Sequence, residues 1–392
     1  MEAELVTDQR MFEEDVVAPL LELVEDDDYA IDTEFHRERT YWPHLALIQL
    51  AWHDRMVIVD PLAVDVRPMA PVLEGPATFL AHAADQDLEV LGHACGATPA
   101  RLFDTQLAAG FLGLSSPSLT SLTEKLLGIR LPKGDRLTDW ARRPLTESQL
   151  SYAASDVAHL QELADTIRRD LQSSGRLAWA EQECANLLAR ARGPQDPDTA
   201  WWRLREGRSL RGQARAVAQA VAAWRERRAM ELDIPTRFVL PDLALLSIAH
   251  KPPKDAAGLA AVRGVEGRHL KGRVEQELLA AIADGLRLTP EQMRLPVTDD
   301  LDRDQRPAVA LAAAWVAQLG RDLSIDPALL ATRADLVALL GGDERARAAC
   351  GWRAEIVGEP VRRLAKGDAA LAFDGHGGLV LEERSGRPIK TL

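Results

Sequence analysis

Two acids, Asp32 and Glu34, lie two residues apart in the segment Tyr29-Ala-Ile-Asp-Thr-Glu-Phe35, whose other members are mostly apolar. The alternation of a β-strand turns both carboxylates to the same face. The apolar neighbours predict a strand inside a sheet, and two acids buried there require a compensating cation. A second pair, Tyr152 and Asp156, is four apart on a helical pattern, which stacks the two side chains one turn apart within reach of one ligand. Between the pairs, His82-Ala-Ala-Asp-Gln-Asp87-Leu sets acids at a predicted strand-to-helix junction. Spacing leaves Asp85 and Asp87 as alternatives there, and capping the helix is the ordinary role for such an acid. Each pair alone has an ordinary structural explanation, a solvated sheet face or a core tyrosine with a wet tip; together they suggest a site.

The elements that must hold these side chains follow from the pattern of apolar residues. Residues 29–35, 44–52 and 56–60 read as three closely connected strands, an antiparallel meander. Residues 78–82 read as a buried strand, followed by helical segments near 88–95, 105–111 and 119–127. The result is a mixed α/β layer structure. Thr146-Glu-Ser-Gln149 fits a capping box, and Leu150, Ala153, Val157, Leu160 and Leu163 recur at helical spacing, so one helix is predicted to carry Tyr152 and Asp156. The prolines and glycine of Arg192-Gly-Pro-Gln-Asp-Pro-Asp198 predict a domain boundary.

From Trp201 onward strand signals nearly vanish, and short helices alternate with turns at Leu240-Pro-Asp242, Lys251-Pro-Pro253 and Arg263-Gly-Val265. A faint internal repeat relates the segment from Arg228 through Asp242 to the one from Gln318 through Asp335, which predicts two related helical modules, the second beginning near Thr289.

A chain of 392 residues suggests two or three domains. With 46% hydrophobic and 27% charged residues, it has the composition of an ordinary globular protein, and no run of 18 apolar residues offers a membrane span. The opening Met1-Glu-Ala-Glu-Leu lacks the basic and apolar stretches of a secretory signal, so a cytoplasmic location is expected. Cys95, Cys184 and Cys350 are far apart with no CxxC pair, which predicts reduced and mostly buried thiols rather than a zinc site or disulfides. The net charge of −13 argues against coating nucleic acid by bulk electrostatics, so any such contact must be local or metal-assisted.

The order Asp-x-Glu, His-x4-Asp-Leu, Asp-Thr-Gln and Tyr-x3-Asp resembles the DEDD exonuclease superfamily and, within it, the ribonuclease D family. More specific echoes are Asp32-Thr-Glu-Phe with Tyr41-Trp-Pro-His-Leu-Ala-Leu-Ile-Gln-Leu50, Asp104-Thr-Gln-Leu-Ala-Ala109, and Arg136-Leu-Thr-Asp-Trp140-Ala-Arg-Arg-Pro-Leu-Thr146. The resemblance implies a ribonuclease H-like exonuclease domain, metal binding by Asp32, Glu34, Asp87 and Asp156, and positioning of water by Tyr152. It selects Asp87 over Asp85, since the family's acid directly precedes the leucine. Position 151 is Ser, so the tyrosine subtype is implied and not the His-x4-Asp form.

What the family resemblance implies chemically is 3′→5′ hydrolysis of RNA by two divalent ions, Mg²⁺ or Mn²⁺, with release of nucleoside 5′-monophosphates. Two ions about 3.5–4 Å apart can activate a water, relieve charge on the phosphoryl group and stabilise the departing 3′ oxygen. An all-oxygen donor set suits these ions better than zinc. Asp32 is expected to bridge both, Glu34 and Asp156 to complete the ion at the water, and Asp87 to serve the other. RNA with a free 3′ end, with precursor tRNA the family's example, is the implied partner.

Among the remaining residues, Asp104 is expected to cap a helix, His82 to be a satisfied structural histidine, and Trp140 to pack. Phe35, His36, Arg37, Arg39, Tyr41 and Trp42 are candidates to stack a base or hold phosphates. Between Trp201 and Met230, eight arginines, Arg203, Arg205, Arg208, Arg211, Arg215, Arg225, Arg227 and Arg228, face only Glu206 and Glu226. That excess is a candidate phosphate-tracking surface, with Trp201 and Trp202 beside it and Trp224 expected in the core.

This segment, with Ile234-Pro235, Leu240-Pro-Asp and Val262-Arg-Gly-Val265, resembles an HRDC domain. The resulting division is an exonuclease domain at 1–193, an HRDC domain at 198–286 and a divergent HRDC-like domain at 289–392, the last two all-helical. A DNA exonuclease of the same site type and a catalytically silent RNA-binding scaffold are the rival readings; the HRDC modules weigh against the first and the complete acid set against the second.

Overall fold

The computed structural model describes residues 3–132, 138–190, 193, 196–295 and 305–385, without the side chains of Arg208 and Arg268. Arg192, Pro194 and Gln195 of the expected boundary and the start of the Arg136 motif therefore lie outside the described residues.

Strands β1 (Glu4–Val6), β2 (Asp28–His36), β3 (His44–Trp52), β4 (Arg55–Val59), β5 (Thr78–Ala81) and β6 (Leu102–Asp104) form one sheet in the order β1-β4-β3-β2-β5-β6. The predicted antiparallel meander is β2-β3-β4. Parallel neighbours β1, β5 and β6 extend it on both sides, which leaves β2 inside the sheet. The near-continuous apolar run of β3 reflects cover on both faces. On one face Tyr29, Ile31 and Phe79 pack with Leu88 and Leu91 of the helix Asp85–Cys95. On the other, Ala30 and Leu80 pack with Leu160, Leu163 and Ile167 of the helix Leu160–Ser173.

The capping box at Thr146 is present, with Gln149 N–H donating to Thr146 Oγ1 at 3.2 Å and Thr146 N–H donating to Gln149 Oε1 at 2.9 Å. The helix it starts ends earlier than the spacing predicts. Glu147–Val157 and Leu160–Ser173 are separate helices, joined at Ala158 and His159. The break lets the first cross β3 and β4 while the second covers β2 and β5.

The helix Gly212–Leu232 pairs closely with Arg273–Arg287. A Cβ at Gly285 would meet Val217 Cα at 2.6 Å, so glycine sets the approach of these two backbones. Trp201, Val217, Val221, Leu245, Ile248 and Ile282 form the core of this module. The helices Arg306–Leu323 and Arg333–Leu340 share their core with the α/β domain, where Val309, Ala312 and Leu336 join Ala109, Phe111 and Leu163.

The internal repeat is real in three dimensions. Each module has a long helix ending in a left-handed residue, Asp233 or Ser324. A four-residue helix follows beside a proline, Thr236–Val239 or Pro327–Leu330, and then the helix Asp242–His250 or Arg333–Leu340.

The last module is not wholly helical. Strands β7 (Ala369–Phe373) and β8 (Leu379–Glu383) form a hairpin. Its turn is tied by Asp374 Oδ1, which accepts the N–H groups of His376 and Gly378 at 2.7 and 2.9 Å. Ala-Ala-Leu-Ala-Phe carries no apolar alternation to announce a strand. Cys95 and Cys184 are buried free thiols, whereas Cys350 is exposed.

Candidate active site

Asp32 and Glu34 project from one face of β2 toward the helix Glu147–Val157, which brings Asp156 over them. Ligand oxygens of the three carboxylates lie within 4.8 Å of one another. A bulge between Glu34 and Phe35 interrupts the pairing of β2 with β3 at this point, the kind of irregularity that re-aims a side chain. The acids line a cavity of about 450 Å³ together with Phe35, His82 and Tyr152.

Asp87 is outside that three-carboxylate set. Its helix packs on the opposite face of the sheet, and its Oδ1 accepts the backbone N–H of Thr33 at 3.1 Å and the Thr33 hydroxyl at 2.5 Å. It nevertheless acts on the site electrostatically. Burial, then the charges of Asp87, Asp156 and Glu34, holds the Asp32 carboxyl well above the usual range. Burial, then Asp156 and Asp87, pushes Glu34 up to about 8. Burial lifts Asp87 to about 7 against its Thr33 hydrogen bonds. Carboxylates that suppress one another's ionisation in this way become stable as anions beside a cation. The donors are carboxylate oxygens, the set preferred by hard divalent ions. Asp85 makes no part of the three-acid cluster.

Tyr152 is half-buried one turn before Asp156, and its ring stacks on Trp140 with centroids 6.0 Å apart. Trp140 is thus a packing residue, as expected, and one that orients the tyrosine. The loop leading into the catalytic helix is fixed by a clamp that sequence patterns do not reveal. Arg143 Nε and Nη2 donate to Asp60 at 2.5 and 2.6 Å, and Nη2 also donates to the Ala46 carbonyl at 3.0 Å.

Asp104 caps its helix by accepting from Gln106 and Leu107, and also accepts from Ala83 and Ala84. His82 has both ring nitrogens engaged at 3.0 Å, with Thr105 Oγ1 and the Pro117 carbonyl; burial depresses its pKa despite the Asp104 charge.

The candidate RNA contacts fare unevenly. Phe35 lines the catalytic cavity and the adjoining one, and His36 Nε2 accepts the Ala141 N–H at 3.0 Å. Arg37 is committed to Glu89, Tyr41 donates to Glu226, and Trp42 stacks on His93. The arginines from Arg203 to Arg228 are not one open stripe. Arg203 pairs with Glu226, Arg225 is buried against Asp242, and Arg228 pairs with Glu277. Arg211 Nη1 and Arg215 Nε both donate to the Leu210 carbonyl. Arg205 is exposed, and the Arg208 side chain lies outside the described atoms. Trp201 is buried, whereas Trp202 is partly exposed.

A family model described as 3′-5′ exonuclease matches residues 6–172, and one described as HRDC domain matches residues 214–282. Fold, site and matches define the class as a 3′-5′ exonuclease with an appended HRDC domain. The chain is 37% identical over 369 residues to ribonuclease D of Granulibacter bethesdensis, covering 92% of this chain and 93% of that protein. The crystal structure of Escherichia coli RNase D, an exoribonuclease involved in structured RNA processing, superposes with a TM-score of 0.82 at 30% identity, covering 93% of this chain and 99% of that one. The catalytic core of RRP6 from Trypanosoma brucei gives 0.56 at 26% identity, covering 72% and 79%. The chain belongs to the ribonuclease D family and is a 3′-5′ exoribonuclease that works with divalent metal ions.

Among the described residues no helix is long and apolar enough to cross a membrane.

Proposed function

We propose that Asp32, Glu34, Asp87 and Asp156 hold two divalent ions, Mg²⁺ or Mn²⁺, and that the enzyme trims 3′ ends of structured RNA, with precursor tRNA as a natural substrate. The observation that carries the metal assignment is the three-carboxylate set within 4.8 Å, half-buried and with raised carboxyl pKa values. When bound, the two ions supply an activated water and neutralise charge on the phosphoryl oxygens and the departing 3′ oxygen.

The protein's own residues do the rest. Asp32, whose carboxyl feels the charges of Asp87, Asp156 and Glu34, would serve as the shared ligand, and Glu34 and Asp156 would complete the set. Asp87, oriented by the N–H and hydroxyl of Thr33, would hold the second ion. Tyr152, steadied by Trp140, donates its phenolic proton in a hydrogen bond that orients the attacking water. Phe35 and His36 contact the terminal nucleotide. In the helical module Arg205 is an exposed cation of the basic segment, whereas Arg203, Arg211 and Arg215 spend donors within the protein.

Time-resolved digestion of a 5′-labelled, 3′-extended tRNA and a matched DNA tests this reading. Stepwise shortening of the RNA that requires Mg²⁺ or Mn²⁺ and is abolished by Asp156→Asn is expected. RNA that binds yet stays intact with every metal would leave only a scaffold.

A further inference from the structure

The segment joining β2 to β3 is gripped by the first helical module. Asp233 Oδ1 accepts the N–H groups of Tyr41 and Trp42, each at 3.0 Å, and its Oδ2 lies 2.7 Å from His44 Nε2. Tyr41 Oη donates to Glu226 at 2.7 Å, and Arg237 Nη2 donates to the Glu38 carbonyl at 3.0 Å.

Aspartate is a costly residue for position 233. It ends the helix Gly212–Leu232 at φ 48° and ψ 50°, where glycine is the unstrained choice. It also sets a negative charge where the helix already gathers partial negative charge. Burial would raise its pKa, but the Trp42 N–H, His44 and the Tyr41 N–H outweigh burial and hold the carboxyl below its ordinary range. A side chain unfavourable to its own helix on two counts finds its hydrogen-bond partners, among the described residues, across the interface.

The second module docks by the same turn. Asp326 N–H donates to the Gly110 carbonyl at 2.8 Å, and the Ser324 carbonyl accepts from Arg176 Nη1 at 3.4 Å. The turn after the long helix is therefore a docking element in both modules, and in the first it touches the segment that follows Glu34 and Phe35 of the active site.

The gripped segment lines a row of neighbouring cavities. The catalytic cavity shares Glu34 and Phe35 with a neighbour of about 650 Å³, also lined by Arg39 and His44. That cavity shares Arg37 and Thr40 with a third of about 590 Å³, which reaches Arg203, Pro235 and Thr236 of the helical module.

We infer that Asp233 is a positioning residue: by fixing Tyr41, Trp42 and His44 it shapes the cavities that seat the RNA upstream of the scissile bond, and so controls use of long chains more than cleavage at the acids. The inference rests on the reading above that the acids cut RNA.

The test compares wild type, Asp233→Gly and Asp233→Asn on two substrates with Mn²⁺: a 3′-tailed tRNA, and the p-nitrophenyl ester of thymidine 5′-monophosphate, which reaches only the acids. Glycine suits the left-handed turn, so this helix end persists without the carboxylate. Loss of charge-assisted hydrogen bonds predicts a KM for the RNA raised by about tenfold in the glycine variant, with kcat changed less and the RNA-to-ester ratio of kcat/KM falling about as much. Asparagine keeps an acceptor for the two N–H groups and recovers most of that loss. An unchanged KM for RNA, or equal losses on both substrates, overturns the inference while leaving the metal reading intact. A wild-type enzyme that turns over neither substrate removes the ground for both.

Discussion

Glu34 offers a quantitative test of the acid cluster in the absence of metal. Its carboxyl is pushed from an ordinary value near 4.5 to about 8, by burial first and then by Asp156 and Asp87. A raised carboxyl pKa means that the folded protein holds this proton more tightly than the unfolded chain does. The associated stability is therefore fully present below about pH 4.5 and is lost as pH climbs toward 8. For Glu34, which keeps some contact with solvent, that loss is on the order of 3 to 5 kcal/mol at full weight. For a unit of this size it corresponds to roughly 5 to 15 °C in Tm. The assay is thermal unfolding of wild type and Glu34→Gln in chelator from pH 5 to 8.5, repeated with Mg²⁺. The glutamine variant should be the more stable at pH 8.5, and the gap should close toward pH 5. Mg²⁺ should raise the wild-type Tm more at pH 8.5 than at pH 5, because it compensates charges present only at the higher pH. Parallel pH profiles for the two proteins in chelator would refute the argument.

Other expectations follow from individual contacts. Tyr152→Phe should lower kcat on RNA by about 10- to 100-fold with little change in RNA affinity, read by single-turnover digestion against equilibrium binding. Thr33→Val removes the hydroxyl donated to Asp87 at 2.5 Å; a stability loss of about 1–2 kcal/mol in urea unfolding and a higher Mn²⁺ requirement for activity are expected. Glu183 is buried between Arg353 and Arg347 and joins the catalytic domain to the last module. Glu183→Ala strands the buried Arg353, and denaturant unfolding should show a loss of about 3–5 kcal/mol.

The parts of this enzyme that were legible in its sequence are those set by local geometry. Asp32 and Glu34 share a face because strand side chains alternate, and Tyr152 and Asp156 share one because four residues make a helical turn. The meander and the capping box at Thr146 follow from patterns a few residues long. Strands β1 and β6, at three residues each, are too short to show an alternation, and the β7-β8 hairpin has none.

Relations across the fold were hidden for a different reason. Nothing in Thr33 announces a bond to Asp87, nor in Asp60 a clamp on Arg143, since each partner lies on another element. The basic segment misled in the same way. Arginines counted along the chain suggest a stripe, but tertiary packing pairs Arg203, Arg225 and Arg228 with acids drawn from three different elements. Nothing in the sequence around Asp233 announces the bonds it makes to Tyr41, Trp42 and His44.

Every step proposed for this enzyme depends on metal binding by these carboxylates. Counting bound Mn²⁺ on chelator-stripped protein, by calorimetry with parallel electron paramagnetic resonance, tests it most directly. Two ions per chain in the wild type with nucleoside 5′-monophosphate present, and at least one lost in Asp32→Asn along with RNA hydrolysis, are the predicted result. Full hydrolysis by metal-free protein, or unaltered Mn²⁺ binding in Asp32→Asn, would rule out a metal centre at these acids.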